Sequence, residues 1–260
     1  MNYITGASGF LGNKLKEKLG DGLVAIPHKD IPTFKLEPFD HFYFCSGYGN
    51  LAHHTDDDAI LRANVTDLVC MIEQAAKLGF KSFTYISTSS VKLPIQTMYS
   101  RSKKAAEEIL LAFMEKYNLN IQIIRPFSIT GVGEQKEHLI PKLIDSCLNG
   151  TEVEFVSTPR HDFIDVDDVV EGILNLSFNH ARGIFELGTG RQYSNQQVLK
   201  LVEEATGKTA TIKPVEKMRP YDTDVWVSSN YKSRAWGWLP DKPLFQSINE
   251  MVGKELHVTR

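Results

Sequence analysis

Tyr99 and Lys103 stand four positions apart in Tyr99-Ser100-Arg101-Ser102-Lys103, a spacing that puts phenol and ammonium on one face of a helix. A lysine beside a tyrosine favours the phenolate and draws its pKa from about 10 toward the working range. Such a phenol can take or give the proton of a carbinol while hydride moves at the same carbon. Just upstream, Tyr85-Ile86 runs into four hydroxyls, Ser87, Thr88, Ser89 and Ser90. One of them could hydrogen-bond the reacting oxygen. Each signal alone has a plainer origin, since a Ser/Thr cluster commonly caps a helix or makes a turn.

A second motif gives the pair its context. Tyr3-Ile4-Thr5 reads as a strand and leads into Gly6-Ala7-Ser8-Gly9-Phe10-Leu11-Gly12, after which Leu11, Leu15 and Leu19 keep helical spacing. Three glycines between strand and helix make a turn that receives a dinucleotide pyrophosphate. Gly6 permits the tight bend, Gly9 lets the backbone approach the phosphates, and Gly12 lets the helix pack closely. Ser8, Phe10 and Leu11 belong to the same turn. In a parallel sheet the C-terminal ends of strands face the ligand, which adds Ser46, Gly47, Ser87 and Pro126 to the expected cofactor contacts.

The elements that must hold these residues alternate. Strands are expected at Asn2–Thr5, Leu23–Pro27, His41–Ser46, Ser82–Ser87, Ile121–Arg125 and Ile184–Leu187. Ala59–Leu78 reads as a helix with Leu61, Val65, Leu68, Ile72 and Ala75 on one face, and Ser100–Tyr117 as another. Asp56-Asp57-Asp58 suits a helix start. The expected architecture is α/β, a Rossmann-type doubly wound parallel sheet with a smaller C-terminal lobe. Residues 1–130 form the dinucleotide domain, with 163–188 returning to it, and 131–162 with 189–260 form the substrate lobe.

The 260 residues, 42% hydrophobic and 23% charged, suffice for a sizeable core. A net charge of -3 argues against nucleic acid as a partner. Cys45, Cys70 and Cys147 are odd in number and widely spaced, which argues against a disulfide framework or a zinc site. No run is long enough to span a bilayer, and a reducing, cytoplasmic setting is the expectation.

Together Thr5 through Gly12, Tyr85 through Val91 and Tyr99 through Lys103 resemble the extended short-chain dehydrogenase/reductases, and more narrowly the NAD-dependent epimerase/dehydratase group acting on nucleotide sugars. Asn64-Val65, Arg125-Pro126-Phe127-Ser128-Ile129-Thr130-Gly131, Asp162 through Asp168, Phe185 through Gly188, Arg219-Pro220 and Trp236 through Pro240 continue the resemblance in the same order. It implies Tyr99 as general acid/base, Lys103 as its electrostatic partner and ribose ligand, and Thr88 as the third member of the relay. It further implies a nucleotide-diphosphate sugar as substrate, with Arg219 and Arg160 on the diphosphate and Ser89 and Ser128 near the sugar. A homodimer built on the central helix and the Tyr-bearing helix is also implied.

Departures from the family pattern are informative. Roughly a dozen residues separate Pro27 from the next apolar strand, so the second crossover helix and a strand are expected to be shortened or lost. Eight positions separate Val91 from Tyr99, where the family inserts a longer loop. Lys92-Leu93 replaces Tyr-Gly, Ser128 and Glu186 each replace an asparagine, and His161 replaces an arginine. Ser89-Ser90 stands where dehydratases carry Asp-Glu, and without a carboxylate to remove a C5 proton 4,6-dehydration is disfavoured. The second strand ends at His28-Lys29-Asp30. His28 and Lys29 lean toward NADP and Asp30 toward NAD.

Three functions share these residues. One is an NAD(P)-dependent 4-ketoreductase of a nucleotide-activated 4-keto-6-deoxyhexose. Another is a nucleotide-sugar 4-epimerase with tightly bound NAD. The third is a dinucleotide-sensing protein without catalysis, which would have no need of the relay.

Overall fold

The computed structural model describes the chain apart from Ala52, Lys217, Met218, Thr259 and Arg260, and apart from the side chain of Val258. In chain order the elements are β1 (Asn2–Thr5), α1 (Phe10–Leu19), β2 (Leu23–Ile26), β3 (His41–Phe44), α2 (Asp57–Leu61), α3 (Asp67–Leu78), β4 (Ser82–Ile86), α4 (Met98–Lys116), β5 (Ile121–Pro126), β6 (Ser128–Thr130) and α5 (Leu139–Asn149). There follow β7 (Val153–Phe155), β8 (Arg160–His161), β9 (Phe163–Asp165), α6 (Val166–Phe178), β10 (Gly183–Leu187), β11 (Tyr193–Ser194), α7 (Asn195–Thr206), β12 (Ile212–Pro214), α8 (Tyr231–Ala235) and α9 (Leu244–Val258). They fall into two compact units. The first comprises Met1–Pro126, Val170–Glu186 and Tyr231–Trp238, and the second Phe127–Val169, Leu187–Asn230 and Leu239–Arg260.

Six strands in the order β10-β5-β4-β3-β1-β2 make the central parallel sheet. The expected Rossmann architecture is present. From β1 the chain steps to β2 on one side, then crosses to β3 on the other. That reversal opens a crevice beyond the carboxyl ends of β1 and β3. β3 is buried along its whole length, and its Phe42 stacks on Phe83 of β4 with ring centroids 4.8 Å apart. Continuous apolar sequence of this kind suits a strand covered on both faces.

The shortened stretch after β2 is real. Between Ile26 and His41 there is only a single 3-10 turn, His28–Asp30, and β2 is an edge strand with Val24 exposed. Ile31, Leu36 and Phe39 plug the core in place of a helix. Gln74 of α3 pins this coil, accepting from Leu36 N at 3.3 Å and donating to Phe34 O at 3.1 Å. A backbone that forms no helix finds part of its partners in side chains.

The expected helix Ala59–Leu78 is interrupted by a π-helical turn, Arg62–Thr66. The extra residue shifts the helix phase. Leu61, expected on the buried face, is 42% exposed, whereas Ala63, Asn64 and Asp67 turn inward. Asn64 then donates to Ser102 Oγ at 2.8 Å and Tyr48 O at 2.8 Å and accepts from Tyr48 N at 3.0 Å. It braces the loop after β3 against α4.

In the second unit β6 pairs with β9 and β7 with β12, both parallel, and β8 with β11 antiparallel. Its core is formed by α5, α7 and α9, through Ile140, Leu143, Val198, Val202 and Ile248 among others.

Candidate active site

Gly6 has φ +68, and a Cβ there would lie 2.7 Å from the Cys45 carbonyl carbon and the Ser46 nitrogen. The turn therefore rests directly on the chain leaving β3, a close approach that only glycine allows. Gly9 N donates to Gly6 O at 3.0 Å. A Cβ on Gly12 would collide with the Gly6 carbonyl oxygen, so α1 packs against its own entry turn. No side chain caps α1 at Gly9, which leaves the first N–H groups for an anion. Ser8 and Gly9 are exposed, Phe10 is half-buried and Leu11 buried.

The strand ends add a second wall. Ser46 is buried and its hydroxyl lacks a hydrogen-bond partner, and a Cβ on Gly47 would meet Lys103 Nζ at 2.9 Å. A cradle too tight for a methyl group and an orphaned hydroxyl beside it fit a bound dinucleotide.

The relay residues meet in the first unit. Thr97 caps α4 by accepting from Ser100 N, which sets Tyr99 and Lys103 in the first turns. The Thr88 hydroxyl lies 3.0 Å from Ser90 Oγ, accepts from Ser90 N at 3.2 Å, and is close enough to the half-buried Tyr99 phenol to act on it. Burial pushes the phenol up to about 12, and Thr88 opposes that shift. Lys103, 3% exposed, donates to Ile86 O at 2.8 Å and Ser46 O at 3.4 Å and lies 4.8 Å over the Tyr85 ring. Desolvation pulls its ammonium down to about 8. This differs from the depressed phenol that the Tyr-Lys spacing suggests. Desolvation dominates the phenol, and the lysine directs its donors to strand-end carbonyls. At neutral pH the phenol is protonated.

Other expected contacts are already engaged. Ser87 Oγ donates at 2.6 Å to Glu107 Oε1, so its hydroxyl is committed to a buried carboxylate. His28 Nδ1 lies 2.9 Å from Asp67 Oδ2 of α3, while Lys29 is exposed. That pairing engages His28, itself exposed, with a carboxylate, and Lys29 lies exposed next to it. Pro126 is buried at the end of β5, and Ser89 is buried in the turn after β4. Two departures from the family pattern meet, with Lys92 Nζ 2.7 Å from Glu186 Oε1.

In the second unit Ser128 is half-buried, its hydroxyl 3.4 Å from His161 Nδ1. His161 packs against Trp226 with ring centroids 4.9 Å apart, and burial pulls its pKa down to about 3. A neutral imidazole thus occupies a position where a permanent cation was the family's choice. Arg160 is exposed on β8. Arg219 is exposed as well, its Nε 3.0 Å from Asp222 Oδ1 and its guanidinium 5.3 Å from the Tyr221 ring centroid.

Residues 31–188 match the model of the NAD dependent epimerase/dehydratase family. The chain belongs to that family. These are enzymes of the short-chain dehydrogenase/reductase type. The match takes in Thr88, Tyr99 and Lys103, whereas the glycine turn precedes it and rests on its own geometry. The mouse dTDP-D-glucose 4,6-dehydratase is 26% identical over 217 residues, 73% of this chain and 59% of that protein. The chain spans 59% to 65% of the length of the dehydratases it matches. The GDP-6-deoxy-D-mannose reductase of Pseudomonas aeruginosa is 24% identical and aligns over 96% of this chain and 95% of its own. Among solved structures, MoeE5 in complex with UDP-glucose and NAD superposes with a TM-score of 0.91 at 22% identity, covering 100% of this chain and 99% of that one.

Against this family background, Glu107 is the site-adjacent residue that motif reading passed over. Its signal was available. It follows Lys103 by four positions on α4 and shares the buried face with Ala106 and Leu110, where a lone carboxylate demands a partner.

Proposed function

We propose that this chain is an NAD(P)-dependent nucleotide-sugar-modifying enzyme, and specifically a reductase of a nucleotide-activated 4-keto-6-deoxyhexose. The observation that carries this reading is the half-buried Tyr99 phenol, close to the Thr88 hydroxyl and held protonated near pH 7. A ketone needs a proton donor beside it, and a phenol raised to about 12 is an acid in the correct state. The first unit would hold the dinucleotide through Gly6, Gly9 and Gly12 of the turn, with Ser46, Gly47 and Lys103 at the strand ends. When bound, a reduced nicotinamide supplies the hydride. Tyr99 Oη gives its proton to the carbonyl oxygen as that oxygen gains negative charge. Thr88 Oγ1 steadies both the incoming oxygen and the phenolate left behind. Lys103, fixed by Ile86 O and Ser46 O, keeps a positive charge close to the relay.

Ser89, Ser128, Arg160 and Arg219 are the residues proposed for the sugar and its diphosphate. A guanidinium matches a phosphate bidentately. Exposed Lys29 favours the 2′-phosphate of NADP. The end-to-end alignment with the GDP-6-deoxy-D-mannose reductase also supports the reductase reading, as does Ser89-Ser90 in place of a carboxylate pair. A homodimer through α3 and α4 in the cytoplasm completes the proposal, and a monomeric mass by light scattering would reject that assembly. Among the described residues no helix is long and apolar enough to cross a membrane.

The test is a panel of keto-sugar and sugar nucleotides assayed with NADH and NADPH, read by reduced-nicotinamide absorbance and product chromatography. Stoichiometric NADPH oxidation with a 4-keto sugar nucleotide is expected. Co-purified NAD with inversion at C4 and no net consumption would establish the epimerase instead. No turnover across the panel would leave a dinucleotide sensor.

A further inference from the structure

Directly behind the relay lies a buried charge cluster that the proton chemistry does not use. Glu107 is fully buried and accepts from Ser87 Oγ at 2.6 Å, Arg125 Nε at 2.8 Å and Arg125 Nη2 at 2.6 Å. Lys104 Nζ stands 3.5 Å from its second oxygen. One carboxylate thereby joins β4, α4 and β5. Ser87 immediately precedes Thr88, and Glu107 lies one helical turn beyond Lys103.

We propose that Glu107 is the positioning residue of the relay, clamping the strand end that carries Thr88 to the helix that carries Tyr99 and Lys103. A buried ion pair is a poor source of stability, because desolvating both charges offsets their attraction. It is a good source of geometry. The bidentate fork fixes Glu107 against Arg125, and the short Ser87 bond transmits that fix to the next residue. Bringing Thr88 and Tyr99 together needs such a fix, since they come from two separate elements. Glu107 acts on Lys103 through space as well. Burial drives that ammonium down, while Glu107 and Cys45 push it up. The groups facing Lys103 are Cys45 after β3, Tyr85 of β4 and, on α4, Glu107 itself, with Arg125 of β5 behind Glu107.

This inference rests on the relay assignment above, so its test includes a readout that needs no substrate. Lys103 is titrated by NMR of carbon-labelled lysine, assigned with Lys103→Arg, in wild type, Glu107→Gln and Glu108→Gln. Removing a close opposite charge should lower the Lys103 midpoint by about one unit in Glu107→Gln. The exposed neighbour Glu108→Gln should match wild type. In turnover, Glu107→Gln should lose about ten- to a hundredfold in kcat with KM within about threefold, and the alkaline limb of its pH profile should move down with the Lys103 midpoint. Should Glu107→Gln not fold, Ser87→Ala keeps the cluster otherwise intact and should lower kcat in the same way. An unmoved Lys103 midpoint in Glu107→Gln, or unchanged kcat in Ser87→Ala, overturns the proposal. Absence of turnover by the wild type across the panel sinks the reductase reading alone and leaves the titration to decide the role of Glu107.

Discussion

The two units treat the cations of the candidate site in opposite ways. In the first, Lys103 and Glu107 are almost fully removed from water, and each is fixed by at least two hydrogen bonds to backbone or buried side chains. In the second, Arg160 and Arg219 are exposed, and the buried histidine between familiar motifs is neutral. Buried, satisfied charges cost stability but hold geometry before any ligand arrives. Exposed guanidinia cost little, and the surface pairing of Arg219 with Asp222 is weak enough for a phosphate to replace it. The contrast is what an enzyme needs when chemistry must be accurate and substrate recognition adaptable.

The largest effect that sharpens this contrast is expected at the relay. Tyr99→Phe should lower turnover by about a thousandfold while dinucleotide affinity, measured by fluorescence titration, changes little. Retained turnover would remove Tyr99 from the chemistry. Lys103→Ala should cost about ten- to a hundredfold in both turnover and cofactor affinity, and loss of neither would make the buried lysine merely structural. In the exposed unit, Arg219→Ala should raise KM for a sugar nucleotide about tenfold with kcat nearly constant. A fall in kcat equal to that of Tyr99→Phe would erase the distinction between the regions. Gly12→Ala forces a methyl group onto the Gly6 carbonyl, and should destabilise by about 1–3 kcal/mol in urea melts. The smallest effect concerns His161. Its folded pKa of about 3 lies below the ordinary histidine value near 6.5. Between those values the unfolded chain binds the extra proton, so stability is complete above about pH 6.5 and falls as the solution is acidified. Denaturation between pH 7 and 4 should show a flatter dependence in His161→Gln than in wild type.

Much of the first unit was legible as pattern. All six expected strands of the central sheet form, with ends displaced by at most two residues, because continuous apolar runs between turns admit few alternatives. The absence of a crossover helix after Pro27 was also readable, since the chain there is simply too short. The phase shift at Arg62–Thr66 was not readable. A π turn inserts one residue without leaving any mark in composition, and Leu61, expected on the buried face, is exposed. Engagement was equally hidden. Ser87 and His28 carry suitable groups for a cofactor, yet Glu107 and Asp67 reach them from distant positions.

By itself the sequence determined which groups are available: a glycine turn, a phenol and ammonium one helical turn apart, and hydroxyls at a strand end. Local spacing suffices for that, because helix and strand periods convert it directly into faces. Only the tertiary structure decided their chemical state. Desolvation and long-range hydrogen bonding depend on what packs against a group from elsewhere in the chain. That is why Tyr99 is an acid with a raised pKa, why Lys103 points at carbonyls, and why His161 is uncharged.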